Sequence, residues 1–332
     1  MENMTGFSTM IHKLKQNPKT IVFTEGSDPR ILEAASRLLA SSFLTPILVG
    51  KKEEVEAAAE EYGFNIRGGQ IIDPETFDKM DEMIELYCEL RKGKGVTPEE
   101  ARKVLSKGNY FGTMLVKMGY ADALLGGATY STADTVRPAL QLIKTKPGAS
   151  IVSSCFILVR PSATGDNEVL AMGDCAINIK PSEDELVEIA YASAACGKVF
   201  GIDPKVAFLS YSTLGSGKGE DVDKMRNAAQ KAKAAYPDLP IEGEIQFDAA
   251  VSPRVAKTKC PNNPVAGHAN VFIFPDINAG NIGYKIAQRL GNFEAYGPIL
   301  LGLNAPINDL SRGCNAEEVY SMAIITAALV ED

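Results

Sequence analysis

The stretch TIVFTEGSDP, residues 20–29, decides the fold class of this chain. A short run rich in β-branched and aromatic residues is followed by small and acidic turn residues, and a helical pattern then continues to residue 40. The same order of strand, turn and helix recurs at 46–62 and at 123–144, where the helix is predicted over 131–144. Strands that alternate with helices predict an α/β fold whose sheets are mainly parallel.

The length of 332 residues predicts two domains rather than one. Lys146-Pro147-Gly148 interrupts the pattern and is the best candidate for a boundary. The last strand, loop and helix have no obvious place in a completed second domain, so we expect them to return to the first. The predicted domains, each with three α/β/α layers, are therefore residues 1–147 with 304–332, and residues 148–303, with a cleft between them.

The second half of the chain differs in pattern from the first. Extended runs at 151–159 and 168–179 flank a polar loop at 161–167 and predict an antiparallel pair of strands. Ser182 and Glu185 form a candidate capping box that opens the next helix. Two further strands and one helix are expected at 206–211, 270–274 and around 282–290.

Composition excludes several functions. A net charge of −8 argues against a general nucleic-acid binder. Six scattered cysteines without a C-x-x-C pair indicate reduced thiols in the cytoplasm rather than disulfides or a zinc site, and two histidines leave metal sites and Ser-His-Asp triads poorly supplied. Because no apolar run reaches 18 residues, we expect no membrane span.

The stretch DLSRGCN, residues 309–315, is the most informative for chemistry. It places the hydroxyl of Ser311, the fixed cation of Arg312 and a turn glycine directly before a helix, which Asn315 and Glu318 open as a candidate capping box. A guanidinium beside a helix start favours an anion, phosphate above all. The alternative is a surface turn that only caps the helix, and the rest of the chain favours the anion site.

Other glycine-rich and basic positions carry weaker signals. The loop LGSGKG, 214–219, is not a Walker A motif, because Ser212 and Gly219 stand where glycine and a hydroxyl residue are required. A flexible turn and a phosphate-contacting loop both remain open. No G-x-G-x-x-G spacing supports a dinucleotide site. Arg91 and Arg137 fit either solvated helix residues or ligand contacts.

Taken together, motifs along nearly the whole chain resemble the phosphate acetyl/butyryltransferase family. The matching segments are TEG (24–26), ELRK (89–92), NYFGTM (109–114), ADALLGGAT (121–129), STADTVRP (131–138), SYST (210–213), EGEIQFDAA (242–250), FPDINAGNIGYK (274–285) and NDLSRGC (308–314).

The resemblance implies reversible acetyl transfer between acetyl-CoA plus phosphate and acetyl phosphate plus CoA. In the family, the CoA thiolate attacks acetyl phosphate directly in a ternary complex, without an acyl-enzyme. It also implies a fold resembling the isocitrate and isopropylmalate dehydrogenases and a homodimer built through the second domain. CoA and acetyl-CoA are expected as substrates, with no permanently bound cofactor, no metal and no partner beyond small molecules and a second copy.

The family's active-site serine, arginine and acidic residue fall on Ser311, Arg312 and Glu318. Relatives often carry aspartate at position 318, so Glu318 keeps the carboxylate on a longer stem, and both a proton-handling role and a capping role remain open. Two arginines important for CoA fall on Arg91 and Arg137. We expect Ser131 and Thr132, at the start of the helix that carries Arg137, to bind CoA with them.

Alternatives remain at this stage. A phosphate butyryltransferase would differ only in the space around the acyl group, and a non-catalytic acetyl-phosphate-binding module would be expected to lack Ser311 and Arg312. A dehydrogenase would need metal-binding aspartates and a nicotinamide site, which the sequence does not indicate. Cys314 offers a rival acyl-cysteine route. We expect it to be a buried packing residue instead, because no histidine lies nearby and CoA brings its own thiol.

Overall fold

The computed structural model describes residues 5–162 and 167–331. Strands and helices alternate through most of this range, which confirms the predicted α/β class. The chain divides into a first unit, formed by Phe7–Pro147 and the segment from Leu303, and a second unit, Gly148–Gly302. The polar loop expected at 161–167 falls largely on 163–166, outside the described residues.

The first unit contains five strands in the order β11-β4-β1-β2-β3, and every neighbouring pair is parallel. The strands are β1 (Lys19–Phe23), β2 (Leu44–Val49), β3 (Gln70–Ile72), β4 (Ala123–Gly126) and β11 (Ile307–Asp309). The helices are α1 (Thr5–Gln16), α2 (Pro29–Ser41), α3 (Lys52–Tyr62), α4 (Met80–Leu90), α5 (Pro98–Leu105), α6 (Gly108–Lys117), α7 (Thr132–Pro138) and α13 (Ala316–Ala328).

Helices cover both faces of the first sheet at its centre. Ile21, Val22 and Phe23 of β1 are all fully buried, although successive side chains of a strand point to opposite faces. Gly112 lets α6 approach the sheet closely, because a Cβ there would lie about 3 Å from side-chain atoms of Val22 and Leu124. The continuous apolar run read from the sequence therefore marks a strand buried on both sides.

The helix predicted over 131–144 is present, but its hydrogen-bond pattern changes part of the way along. The α-helix α7 ends at Pro138, and a π-helical turn follows over Ala139–Ile143. Proline has no N–H to donate to the carbonyl four residues earlier, that of Asp134. Asn109 Nδ2 donates to this carbonyl instead, at 2.8 Å. The hydrogen bond that proline cannot form is therefore replaced by one that joins α7 to α6.

The second unit contains six strands in the order β10-β5-β6-β9-β7-β8. The strands are β5 (Ser153–Pro161), β6 (Asn167–Gly173), β7 (Val206–Leu209), β8 (Ile241–Ile245), β9 (Val271–Ile273) and β10 (Glu294–Leu301). The helices are α8 (Glu183–Val199), α9 (Glu220–Ala235), α10 (Phe247–Val251), α11 (Pro253–Lys259) and α12 (Ile277–Leu290). Strand β5 runs antiparallel to β6 and β10, whereas the other pairs are parallel.

The predicted antiparallel pair is confirmed, but its second strand is shorter than the sequence indicated. β6 stops at Gly173 rather than continuing to 179. The buried carboxylate of Asp174 accepts the N–H groups of Ala176, Ile177 and Asn178 at 2.9–3.1 Å, and the hydroxyl of Ser154 also donates to it. These bonds turn the backbone away from the sheet, so the apolar run at 175–179 is not a strand.

The last strand and helix belong to the first unit. β11 pairs in parallel with β4, and α13 follows after the turn that contains Ser311 and Arg312. The capping boxes predicted for α8 and α13 are both present. Among the described helices, none combines the length and apolarity needed to cross a membrane.

Candidate active site

Three loops of the first unit follow neighbouring parallel strands and meet at one edge of the sheet. Thr24 and Glu25 follow β1, residues 127–131 follow β4, and residues 310–314 follow β11. The carboxyl edge of a parallel sheet is where α/β proteins bind ligands. This edge also carries Ser311 and Arg312.

Glu25 fixes the loop after β4. Its Oε1 accepts the N–H of Gly127 at 3.0 Å and that of Thr129 at 3.1 Å, while Oε2 accepts the Thr24 hydroxyl at 2.7 Å. Burial raises the pKa of Glu25 above its usual value, although the hydrogen bonds partly oppose this. Glu25 therefore serves as an anchor with little access to solvent.

Asp309 performs the same task at the end of β11. Its side chain is buried and accepts the hydroxyls of Thr132 and Thr135, each at 2.6 Å, which ties α7 to β11. Burial raises its pKa, while the two hydroxyls and the charge of Arg312 act in the opposite direction. The carboxylate thus lies close enough to Arg312 to interact with it electrostatically.

Tyr130 completes this buried layer. Its hydroxyl lies 2.7 Å from Thr24 Oγ1, and burial raises its pKa so that it stays protonated at neutral pH. Because the Thr24 hydroxyl donates to Glu25, the Tyr130 hydroxyl is the donor to Thr24. The chain of donors runs from the β4 loop to the β1 loop.

Arg30 connects all three loops from the first turn of α2. It bonds both carboxylate oxygens of Asp28, at 2.9 and 2.7 Å, and the carbonyl of Ala128 at 3.0 Å. It also donates to the carbonyls of Arg312, at 2.9 Å, and Cys314, at 3.1 Å. One guanidinium therefore crosses from the β1 loop to the turn that holds the serine and arginine.

Ser311 and Arg312 are exposed above this layer. Ser311 Oγ accepts the N–H of Gly313 at 3.2 Å, which leaves its own hydroxyl hydrogen available. Within residues 5–162 and 167–331, no side chain forms an ion pair with the Arg312 guanidinium and no group accepts a hydrogen bond from it. The two groups selected from the sequence are therefore available to a ligand.

Glu318 uses one of its two carboxylate oxygens to cap α13. Its Oε2 accepts the N–H of Asn315 at 3.0 Å, and Asn315 Oδ1 accepts the N–H of Glu318 at 2.9 Å. The side chain is exposed, and Oε1 has no hydrogen-bond partner in the described part of the chain. The capping role is confirmed, and it leaves one carboxylate oxygen free.

Arg91 and Arg137 lie on different elements but act on the same tyrosine. Burial raises the pKa of Tyr110, and the charges of Arg137 and Arg91 oppose this rise. Arg91 directly follows α4, and its Nε is buried without a hydrogen-bond partner among the described residues. The Arg137 guanidinium is mostly exposed, 3.9 Å from Asp134. Both cations retain unused donors.

The other two residues predicted to bind CoA hold the start of α7 together. The hydroxyl of Ser131 donates to Asp134 at 2.7 Å, and that of Thr132 donates to Asp309. Their hydroxyl hydrogens are therefore already committed to carboxylates of this unit.

Sequence reasoning did not assign roles to Glu25, Arg30, Tyr130 or Asp309. Arg30 had one detectable signal, because a cation in the first turn of a helix opposes the helix dipole and needs anionic or carbonyl partners. The other three lie at the end of a buried strand or within four residues after it, a region that they share with many turn residues. Their partners come from distant parts of the chain.

Cys314 is buried, and burial raises the pKa of its thiol to about 11, against the opposing charge of Arg30. Little thiolate is therefore present at neutral pH. Among the described residues, no group of three or more histidine, cysteine or acidic side chains is arranged to hold a metal ion.

The glycine-rich loop of the second unit is internally satisfied. The buried Glu244 accepts the hydroxyl of Ser212 at 2.9 Å and the N–H of Gly215 at 2.7 Å, and it pairs with Arg226 Nε at 2.9 Å. The N–H of Gly217 donates to Ser212 at 2.8 Å. Two of the amides that a phosphate loop would offer are therefore occupied.

Comparison with known proteins places this geometry in context. A family model described as "Phosphate acetyl/butaryl transferase" matches residues 7–327. The chain is 53% identical over 322 residues to the phosphate acetyltransferase of Bacillus subtilis (strain 168), covering 97% of this chain and 98% of that protein. The crystal structure of a phosphotransacetylase from Streptococcus pyogenes superposes with a TM-score of 0.94 at 52% identity and covers 99% of each chain.

A more distant likeness concerns the fold alone. A putative 4-hydroxythreonine-4-phosphate dehydrogenase from Salmonella typhimurium superposes with a TM-score of 0.54 at 12% identity, over 94% of this chain and 100% of that one. The predicted dehydrogenase-like fold is confirmed by this match together with the phosphotransacetylase match.

Proposed function

The chain belongs to the phosphate acetyl/butaryl transferase family, and we propose that its reaction proceeds by direct attack of the CoA thiolate at the Ser311–Arg312 turn. The chain catalyses reversible transfer of an acetyl group between acetyl-CoA and phosphate, giving acetyl phosphate and CoA. The CoA sulfur forms a bond to the acetyl carbon, the bond from that carbon to the phosphate oxygen breaks, and phosphate leaves with the electron pair.

One observation carries the assignment of the turn. The guanidinium of Arg312 is unpaired within the described residues, and Arg312 follows Ser311 at the carboxyl edge of a parallel sheet. A guanidinium binds two phosphate oxygens at once, and a fixed cation stabilises charge that develops on the leaving phosphate or the carbonyl oxygen. Ser311 supplies a hydrogen bond to the same charge.

Glu318 handles the thiol proton in this scheme. A thiol must lose its proton before it attacks, and a carboxylate within reach can accept or orient that proton. The free Oε1 is available for this task, while the cap formed by Oε2 holds the carboxylate in place. Both roles assigned from the sequence are therefore compatible in one side chain.

CoA binds, in this proposal, through Arg91 and Arg137, whose guanidinium charges suit its phosphate groups. Ser131 and Thr132 shape the same edge through Asp134 and Asp309. Holding CoA and acetyl phosphate together supplies part of the catalysis, up to roughly 7–11 kcal/mol at the ideal limit.

Isotope exchange tests the direct mechanism. An acyl-enzyme would exchange labelled phosphate into acetyl phosphate without CoA, because acetyl transfer to the protein releases phosphate. Direct transfer requires CoA for any exchange. We expect no label in acetyl phosphate until CoA is added, and exchange at a rate comparable to turnover without CoA would overturn the proposal.

We further propose a homodimer built through the second unit. Ile282, Ile286 and Leu290 recur every four residues on α12 and are 57%, 53% and 80% exposed. Ile179, which is 67% exposed, lies near the start of the same helix, because its carbonyl accepts the N–H of Ile277. Exposed apolar side chains on one helix indicate an interaction surface, and a second copy is the occupant that the family resemblance implies.

Sedimentation of the wild type and of Ile286→Asp tests the dimer. We expect the variant to sediment as a monomer and the wild type as a dimer, with Tyr62→Asp in the first unit as a control for an exposed apolar residue.

We place the enzyme in the cytoplasm, where CoA and the six unpaired cysteines remain reduced. Cell fractionation checks this location.

A further inference from the structure

The N–H of Leu310 joins the start of the turn that carries Arg312 to the carbonyl of Gly126 at 2.7 Å, and one distant side chain holds the carbonyls further along. Within the turn, the N–H of Cys314 donates to the carbonyl of Ser311 at 2.9 Å, and the N–H of Gly313 donates to Ser311 Oγ. Both bonds are local. In the described part of the chain, Arg30 provides the hydrogen bonds that join the carbonyls of Arg312 and Cys314 to another element.

Arg30 is itself held rigidly. Its Nε and Nη2 form a two-pronged ion pair with the carboxylate of Asp28, which also caps α2 by accepting the N–H of Arg30 at 2.9 Å. The same Nη2 reaches the carbonyl of Ala128 in the β4 loop. Because Nε and Nη2 are both bonded, the planar guanidinium is fixed in orientation. Its Nη1 therefore defines where the carbonyls of Arg312 and Cys314 lie.

We propose that Arg30 is a positioning residue, which fixes the direction of the Arg312 side chain by holding the main-chain carbonyls on both sides of Gly313. The proposal rests on the role proposed above for Arg312. Displacement of a positioned group by about 1 Å can reduce the rate on the order of 100-fold. The Nε, Nη1 and Nη2 groups of Arg30 all donate to protein acceptors, so in this role Arg30 acts through the turn.

The first test separates kcat from KM. Arg30→Met keeps most of the aliphatic stem and removes the fork, whereas Arg30→Lys keeps the charge. We expect Arg30→Met to lower kcat by about 30- to 100-fold, with the KM values for CoA and acetyl phosphate changed by less than threefold, and Arg30→Lys to fall between it and the wild type.

The matched control is Arg37→Met. Arg37 lies two turns further along α2, pairs with Glu317 at 2.5 Å and stacks on the ring of Tyr320 at 4.1 Å, so it also joins α2 to α13. Its contacts are to side chains and not to the turn carbonyls. We expect kcat within twofold of the wild type, and an equal fall in both methionine variants would overturn the proposal.

A double-mutant cycle tests whether Arg30 acts through Arg312. If it does, Arg30→Met costs less than threefold in kcat once Arg312→Ala is present. Full additivity of the two losses would assign Arg30 an independent role and overturn the proposal. If Arg312→Ala alone retains wild-type kcat, the proposed function of the turn fails, and the position of the turn is then judged by the following measurement alone.

Tryptic cleavage reports the turn without activity. The bond after Arg312 is a trypsin site, and its carbonyl oxygen accepts the hydrogen bond from Arg30. We expect cleavage at this bond to accelerate at least tenfold in Arg30→Met but not in Arg37→Met, with thermal melts showing that both variants are folded. Unchanged cleavage would overturn the proposal. If Arg30→Met does not fold, kcat and the rate of tryptic cleavage are measured in Arg30→Lys instead.

Discussion

Two loops of this protein contain serine, glycine and a cation after a parallel strand, and they differ in what they leave unbonded. In the first unit, Arg312 is exposed and has no partner among the described residues, while Arg30 holds the backbone behind it. In the second unit, Arg226 of α9 lies outside the loop and pairs with the buried Glu244, which also holds the loop. The second loop uses the N–H groups of Gly215 and Gly217 internally, although its own cation, Lys218, is exposed. The first loop instead has its carbonyls held by a distant guanidinium and presents Arg312 next to Ser311.

The glutamates that hold the two loops also differ, in the direction in which their pKa values are shifted. Glu25 is bonded by amides and a hydroxyl but by no cation, because Arg30 is committed to Asp28, and burial raises its pKa. Burial would also raise the pKa of Glu244, but the hydrogen bonds from Arg226, Gly215 and Ser212 outweigh it and hold the pKa below the usual value. The pKa of Glu25 is therefore raised and that of Glu244 lowered, because a cation donates hydrogen bonds to Glu244 and not to Glu25.

The largest expected effect is that of Arg312→Ala. Removing a fixed cation that faces developing charge lowers kcat by about 100- to 1,000-fold. The fold is retained because the side chain is exposed and pairs with none of the described residues. Steady-state kinetics and a thermal melt check both parts. A variant that keeps more than half of the wild-type kcat would mean that the two loops do not differ in the proposed way.

Arg91→Ala and Arg137→Ala should act on binding rather than on turnover. Loss of one charge-assisted hydrogen bond is worth about tenfold in affinity, so we expect KM for CoA to rise by about that factor and KM for acetyl phosphate to change less. The control is Arg102→Ala, whose side chain pairs with Asp81 on the surface of the same unit. Equal rises for both substrates would contradict the assignment.

Opposite pH dependences should distinguish the two anchors. The raised pKa of Glu25 gives a stabilising contribution that is present below the usual value of 4.5 and is lost as pH rises through the higher folded-state pKa. The lowered pKa of Glu244 gives a stabilising contribution that is present above the usual pKa of 4.5. This contribution is lost as pH falls through the lower pKa of the folded state.

Urea midpoints measured between pH 4 and pH 7 test this difference in the glutamine variants. Between these limits, the loss of stability in Glu244→Gln should grow with pH and that in Glu25→Gln should shrink. Parallel trends would show that Arg226 does not control the charge state of its loop.

The smallest expected effect is that of Cys314→Ala. The thiol is buried with a pKa of about 11, so the direct mechanism predicts a kcat within a few-fold of the wild type. An inactive but folded variant, together with a labelled acetyl group on Cys314 after incubation with acetyl-CoA, would establish the acyl-cysteine route instead.

Local features were predictable because their causes lie within a few residues. The capping boxes at Ser182 and Asn315 each join residues three positions apart, and the strand at β1 follows from an unbroken apolar run. The helix over 131–144 was right in extent, but its change to a π-helical turn after Pro138 was not predicted, and the carbonyl that Pro138 leaves without a donor is bonded by Asn109 of another helix. The extension of β6 to residue 179 was wrong, because the N–H groups of residues 176–178 donate to the carboxylate of Asp174 instead of to a neighbouring strand.

The sequence by itself determined the α/β class, the family resemblance and the choice of Ser311 and Arg312 as site residues, since each follows from short contiguous patterns. Only the tertiary structure decided what holds that pair. Arg30 meets the carbonyl of Arg312 across 282 residues, and Asp309 meets Thr132 across 177. Hydrogen bonds act over about 3 Å in space, and the parallel order of β1, β4 and β11, not their separation along the chain, brings these groups within that distance.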